Sequence, residues 1–300
     1  TVTWTVHHAF IDGISAQILL EQVLRLANGY CPDPTPSFWQ WAHDFQHYQR
    51  AHFSRASEFW TCQHELHPEA KGALQLPKPE TVDGPIRTIT LSLQDMQQRL
   101  VVTAKQCNVT LATVFYAAWA LVLSSFSDSN TVVFGALLSG RNVPIANSDR
   151  VIGPLINSLP FYVSIEQKST IQEFLASVFR SLLDLEQFSW TTSEHGFTRD
   201  YDSTLSVETW QDDWSRFDIH PISTSKSQQS GVPLGISVTA EGCLQLQYHA
   251  DRLRVVDAER IAAAYEQALE QITRVHTPVE AVMEAIVTAP SRTLLTKFGN

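Results

Sequence analysis

Residues 1–13 read TVTWTVHHAFIDG. The first six alternate and are rich in β-branched side chains, which predicts a strand. From Gly13 onward, Ile14, Ile18, Leu19, Val23 and Leu26 mark one face of a helix that stops at Asn28-Gly29. Between them stand His7-His8 and Asp12-Gly13. A His pair at a strand end reads first as structural. An imidazole can also accept a proton near neutral pH, or hydrogen-bond a charged intermediate. In a strand successive side chains alternate faces, so only one of the two imidazoles is expected to face a given side.

The 300 residues suffice for one large or two modest domains, and 44% apolar content can bury a sizeable core. A net charge of −10 and the absence of any Lys/Arg run argue against a nucleic-acid or anionic-membrane surface. Cys31, Cys62, Cys107 and Cys243 show no C-x-x-C pairing, which reads as reduced and cytosolic, with neither a disulfide framework nor a zinc site. No signal peptide or twenty-residue apolar span is present, and 111–126 reads as a buried helix. The chain does not begin with Met, so it is expected to be a piece of a longer one.

Residues 37–66 have helical spacing and are dense in aromatics, a stripe that reads as packing. Residues 68–85, with four prolines and two glycines, read as a linker and a lobe boundary. A strand at 86–92 leads to a helix ending near Gln106, with Ser92 as its expected cap. Thr110 caps the next helix, followed by the strand TVVFGALL and the turn SGRN. IGPLINSLPFYVSI reads as a bent strand or strand pair. A helix over about 170–188, the strand STLSVETW and a hairpin turning at Glu241-Gly242 follow. A closing helix is expected with Asp257 as its cap. Strands and helices mix without a βαβ rhythm, which predicts an α+β fold.

HHAFIDG resembles the HHxxxDG motif of condensation domains of nonribosomal peptide synthetases. Further stretches resemble that family in order: FWQWAHDFQHY, VVFGALLSGRNVPI, VIGPLINSLPFYV, PLGISVTAEGCLQLQYHADRL and RTLLTKFGN. The resemblance spans essentially the whole chain and is closest to the fungal type. It implies a two-lobed chloramphenicol acetyltransferase-like fold with a tunnel between the lobes and the first lobe partial. Residues 1–84 are then the remainder of the N-terminal lobe, 85–285 the C-terminal lobe, and 286–300 a linker towards an adenylation domain.

The activity implied is amide formation between a thioester donor and an aminoacyl acceptor. Both ride on the phosphopantetheine of upstream and downstream peptidyl carrier domains, and the domain binds no cofactor of its own. No nucleic acid, membrane or metal is expected, and the location is cytoplasmic. The resemblance assigns catalysis to His8. His7, Asp12, Gly13 and Arg141 support the motif, with Asp12 and Arg141 paired. Asn157 and Ser15 are candidate tunnel or substrate positions; bracing a bulge is an equal reading for Asn157. His43 and His47 have the i,i+4 spacing of a metal pair, but a solvated face is the favoured reading.

Two stretches depart from the family: Thr209 stands where Asn is frequent, and SEHGFTRD fits poorly, which leaves the substrate class open. Alternatives on the same fold are an epimerisation domain, whose usual Trp is here Ala16, and a terminal cyclising domain, where the first His is often Ser. Plant-type acyltransferases share H-x-x-x-D-G but carry Asp-Phe-Gly-Trp-Gly, which is absent here. A non-enzyme alternative is an inactive carrier-docking module.

Overall fold

A computed structural model describes residues 4–32, 34–80, 84–208, 231–239 and 242–287. Three helices come first: α1 (Gly13–Ala27), α2 (Phe38–Ala51) and α3 (Phe53–Leu66). Then follow β1 (Ile86–Ser92), α4 (Gln94–Gln106), α5 (Leu111–Ser127), β2 (Thr131–Leu138), β3 (Asn157–Ser164), α6 (Ile171–Glu186), β4 (Ser203–Val207), β5 (Leu234–Val238), β6 (Cys243–His249), α7 (Val255–Gln271) and α8 (Val279–Val287). The strands form one sheet in the order β1-β6-β5-β4-β2-β3. β4 runs parallel to β2 and β5, and the other pairs are antiparallel.

The centre of the core is α5. It is apolar nearly all round, and such a helix must be enclosed. It packs on β2 and β4 and against α4, α6, α7 and α8. The polar tips of its aromatics are used: the Trp119 indole N–H donates to Ser203 Oγ at 3.2 Å, and the Tyr116 hydroxyl to the Leu205 carbonyl at 3.2 Å. No single described helix is long and apolar enough to cross a membrane.

Side chains alternate along β3. Phe161 meets Tyr116 of α5, whereas Tyr162 points to the opposite face and stacks on His67 just beyond α3. There α3 covers the sheet, and α2 and α3 together cover the loop that follows α6. Trp60 is fully buried and donates its indole N–H to Thr191 Oγ1 at 3.1 Å. Gln49 Nε2 donates to the Trp190 carbonyl at 3.0 Å. The break between α2 and α3 falls at His52, whose imidazole Nδ1 sits 2.8 Å from the Tyr48 carbonyl at the end of α2.

Several sequence expectations are corrected. Residues 4–6 of TVTWTV are not a strand; no described strand pairs with them, and an extended segment without a ladder partner is not held as sheet. Residues 7–8 therefore lack strict alternation as well, and both His7 and His8 are exposed. The stretch read as a linker is partly laced to the sheet. Lys71 N–H donates to the Thr131 carbonyl, Val133 N–H to the Lys71 carbonyl, and Leu74 N–H to Asp202 Oδ2. Leu93, not Ser92, is the N-cap of α4, because Ser92 is still paired in β1. Arg254, not Asp257, caps α7. Asp257 lies in its first turn, fully buried, and accepts hydrogen bonds from Arg254 and Arg260. α8 extends to Val287, so 286 and 287 are helix rather than linker. The expected hairpin is β5–β6, though Glu241 at its tip, Thr209 and RTLLTKFGN lie outside the described residues.

Candidate active site

The motif loop ends at Asp12, the N-cap of α1. Asp12 Oδ1 accepts from Ser15 N–H at 2.7 Å, closing the first turn and satisfying an otherwise orphan helix donor. A carboxylate at that place also meets the positive end of the helix. No Cβ contact restricts Gly13. Asp12 is nevertheless 3% exposed, so it needs more than a cap to offset its lost hydration.

The partner comes from 129 residues away. Arg141 Nη2 donates to Asp12 Oδ1 at 3.0 Å and to Oδ2 at 3.2 Å, and Leu155 N–H donates to Oδ2 at 3.0 Å. The same Arg141 nitrogen reaches Ser15 Oγ at 2.9 Å. Its Nη1 donates to the carbonyls of Ser148 and Val151 at 3.1 and 2.8 Å. Arg141 thereby pins α1 to the irregular stretch between β2 and β3 and braces that stretch internally. The fixed fork of a guanidinium suits this better than a single ammonium could. Both members are desolvated, with side chains 7% and 2% exposed.

Backbone geometry makes the pairing feasible. Gly140 has φ +66°, and a Cβ there would lie 1.9 Å from the Leu155 carbonyl oxygen. Only glycine brings the chain just before Arg141 that close to Leu155. A Cβ on Gly153 would lie 2.3 Å from the Phe38 ring, so α2 packs directly on this backbone. Trp41 of α2 adds a 2.8 Å hydrogen bond from its indole N–H to Ser148 Oγ. An aromatic and aliphatic cluster of Trp41, Val143, Val151, Leu155, Phe188 and Trp190 seals the arrangement.

The contact expected between Asp12 and Arg141 is thus present. His8 stands at the start of the turn 8–10, exposed, four residues before the buried anchor. His7 Nδ1 accepts from Ala9 N–H at 3.1 Å and so shapes the turn. Ser15 is not available to a substrate. Its hydroxyl donates to the Gly153 carbonyl at 2.7 Å and accepts from Gly153 N–H and Arg141, which fills its one donor and two acceptor sites. Asn157 Nδ2 donates to the carbonyls of Ser189 and Thr191 at 2.9 and 2.7 Å, a brace on the loop after α6. Sequence reasoning missed Gly153, Leu155, Ser148 and Trp41 as parts of this lock. The only advance signal was the glycine in VIGPLIN.

The family model described as Condensation domain matches residues 1–281. Over its whole length the chain is 34% identical to the nonribosomal peptide synthetase aclP of Aspergillus oryzae, of which it spans 19%. Its fold is similar to that of the first condensation domain of the calcium-dependent antibiotic synthetase in complex with a substrate analogue. The TM-score is 0.71 at 18% identity, covering 92% of this chain and 65% of that one. The epimerization domain from the third module of tyrocidine synthetase B is also similar in fold. There the TM-score is 0.68 at 19% identity, covering 93% and 69%.

Proposed function

The chain belongs to the condensation domain family, and from that premise we propose that it joins a carrier-bound acyl or peptidyl thioester to a carrier-bound aminoacyl acceptor. Its fold is the mixed-sheet, chloramphenicol acetyltransferase-like fold of that family. The observation that carries the reading is the pairing of an exposed imidazole with a buried anchor. His8 is exposed, while Asp12, four residues on, is locked to Arg141 at 3.0 Å.

A thioester is already activated, so no covalent enzyme intermediate is needed. What the reaction needs is placement of the amine, a proton acceptor and help for the developing oxyanion. In this reading the acceptor nitrogen attacks the thioester carbonyl. His8 takes the proton the amine releases; the C–N bond forms, the C–S bond breaks, and the leaving sulfur is protonated. His7 sets the turn, and Asp12, Gly13 and Arg141 hold it against α1. The donor and acceptor arrive on phosphopantetheine arms of neighbouring carrier domains, and an adenylation domain loads the acceptor carrier. Lobes divided near residue 85 and a linker after α8 complete this reading.

The test uses the intact synthetase with both carriers loaded. Intact-protein mass spectrometry of the downstream carrier should show acceptor plus donor, with the upstream carrier emptied. Inversion of an α-carbon without transfer would identify an epimerisation domain instead. Carrier binding with neither outcome would identify a docking module.

A further inference from the structure

His43 and His47 lie one turn apart on the exposed face of α2. Their rings approach to 4.5 Å between centroids, and their Nε2 atoms face each other at 3.2 Å. Two imidazole nitrogens bound to one ion at about 2.0–2.1 Å, side by side in tetrahedral or octahedral geometry, stand about 2.8–3.4 Å apart. The observed separation falls inside that range. The helix holds the pair at this spacing without any rearrangement of backbone, because residues four apart share a face.

A neighbouring carboxylate favours one tautomer of His43. His43 Nδ1 sits 3.4 Å from Asp44 Oδ1, and the same oxygen accepts from Gln40 Nε2 at 3.1 Å. A proton on Nδ1, directed at the carboxylate, leaves His43 Nε2 unprotonated, so it accepts from His47 Nε2–H until a bound ion displaces that proton. Metal-ligating histidines are oriented in this way by a carboxylate on the far nitrogen. Gln40 in turn fixes the carboxylate.

We propose that α2 carries a two-histidine site for a borderline divalent transition-metal ion of the Zn²⁺, Ni²⁺ and Cu²⁺ class, ligated by His43 Nε2 and His47 Nε2 and oriented by Asp44. Imidazole suits these ions, and their affinity order places Cu²⁺ first. Among the described residues no group of three or more His, Cys, Asp and Glu side chains gathers around one point. The remaining coordination positions therefore belong to water, and the site is open rather than closed. It uses no residue of the His8 loop and has no part in the proposed amide chemistry. The sequence spacing alone favoured a solvated face; the facing nitrogens and the oriented carboxylate are what the fold adds.

The test is equilibrium dialysis of Ni²⁺ against the 300-residue chain and its variants, followed by Cu²⁺ electron paramagnetic resonance. The parent should bind one ion more per chain than His43→Gln or His47→Gln, each of which should lose at least tenfold in affinity. Asp44→Asn keeps both imidazoles and should weaken binding about tenfold, the lower end of the effect of losing an orienting carboxylate. The Cu²⁺ spectrum of the parent should show two coordinating nitrogens that the His variants lack. Equal Ni²⁺ uptake by the parent and a His43→Gln/His47→Gln double variant would overturn the proposal. So would a Cu²⁺ spectrum indifferent to both histidines.

Discussion

Arg141 Nη2 stands 3.0 Å from Asp12 Oδ1, both side chains desolvated, across 129 residues of sequence. Removing one member of such a pair leaves the other charge buried and alone, a loss of about 3–5 kcal/mol, whereas exchanging both for apolar residues is often neutral. Asp12→Ala should therefore lose about 3–5 kcal/mol of unfolding free energy in urea, and Asp12→Asn nearly as much. An Asp12→Leu/Arg141→Met double variant should recover only part of that, because the Ser15 and Leu155 N–H groups and the Ser148 and Val151 carbonyls lose their partners. A loss below about 1 kcal/mol in Asp12→Ala would show that the pair does not hold the loop.

Gly140 supplies a second, independent lever on the same lock. Alanine there would combine a φ of +66° with a Cβ 1.9 Å from the Leu155 carbonyl oxygen. The backbone strain alone costs about 1–3 kcal/mol, and the clash adds to it. Gly140→Ala should lower the melting temperature by several degrees. Gly196 has φ +100° but open space around its missing Cβ, so Gly196→Ala should be the milder change. Equal effects of the two would contradict the close approach seen at Leu155.

Much of the fold could be read from the sequence where local chemistry decides it. Thr110 caps α5 as its hydroxyl predicts, and TVVFGALL is β2 from end to end. Expectations failed where a distant partner decides. The alternation of TVTWTV is a strand signal, yet no described strand pairs with residues 4–6. Asp257 looks like a cap, but burial and two arginines draw it inside the first turn. At the site, Asp12 and Arg141 came into view only through a family resemblance. Ser15 came into view only as a substrate position, and its place in the lock beside Gly153 and Leu155 could not be read, because contacts spanning 138 and 143 residues leave no periodic trace.

His67 gives the fold an acid-sensitive point. Burial against Tyr162, which its ring stacks on at 5.3 Å, holds its pKa below the usual value. Between the folded pKa and the unfolded value of about 6.5, the unfolded chain binds more protons, so stability rises with pH across that window. Acidification from pH 7 through this window should lower the urea midpoint, and His67→Gln should flatten that slope. A wild-type and variant difference independent of pH between 5 and 7.5 would exclude a role for His67.

Limited proteolysis tests how the first helices are held. By composition, a cut near residue 85 is expected to free a stable second lobe. The structure instead puts Trp60 fully inside the main core, while Trp4, Phe10 and Leu26 are 52%, 71% and 58% exposed. The first cuts should fall at 28–37, with the segment carrying α1 staying bound to the rest through Asp12, Ser15 and Arg141. Trp60→Ala, a change that costs about 3–5 kcal/mol in a core, should move them towards residue 85. Early release of 37–66 from the wild-type chain would contradict this packing.

The proposed division of roles has an exposed His8 act on a substrate while Asp12 and Arg141 only hold its loop. It is tested most directly by single-turnover amide formation in the intact synthetase, with donor and acceptor carriers loaded, for wild type and His8→Ala. His8→Ala should lower the rate by about 10²–10⁴-fold, the usual worth of a positioned proton acceptor. Carrier binding and the urea midpoint should be unchanged, because His8 is exposed. An amide-forming rate within threefold of wild type, or a loss of activity matched by a loss of folding, would contradict it.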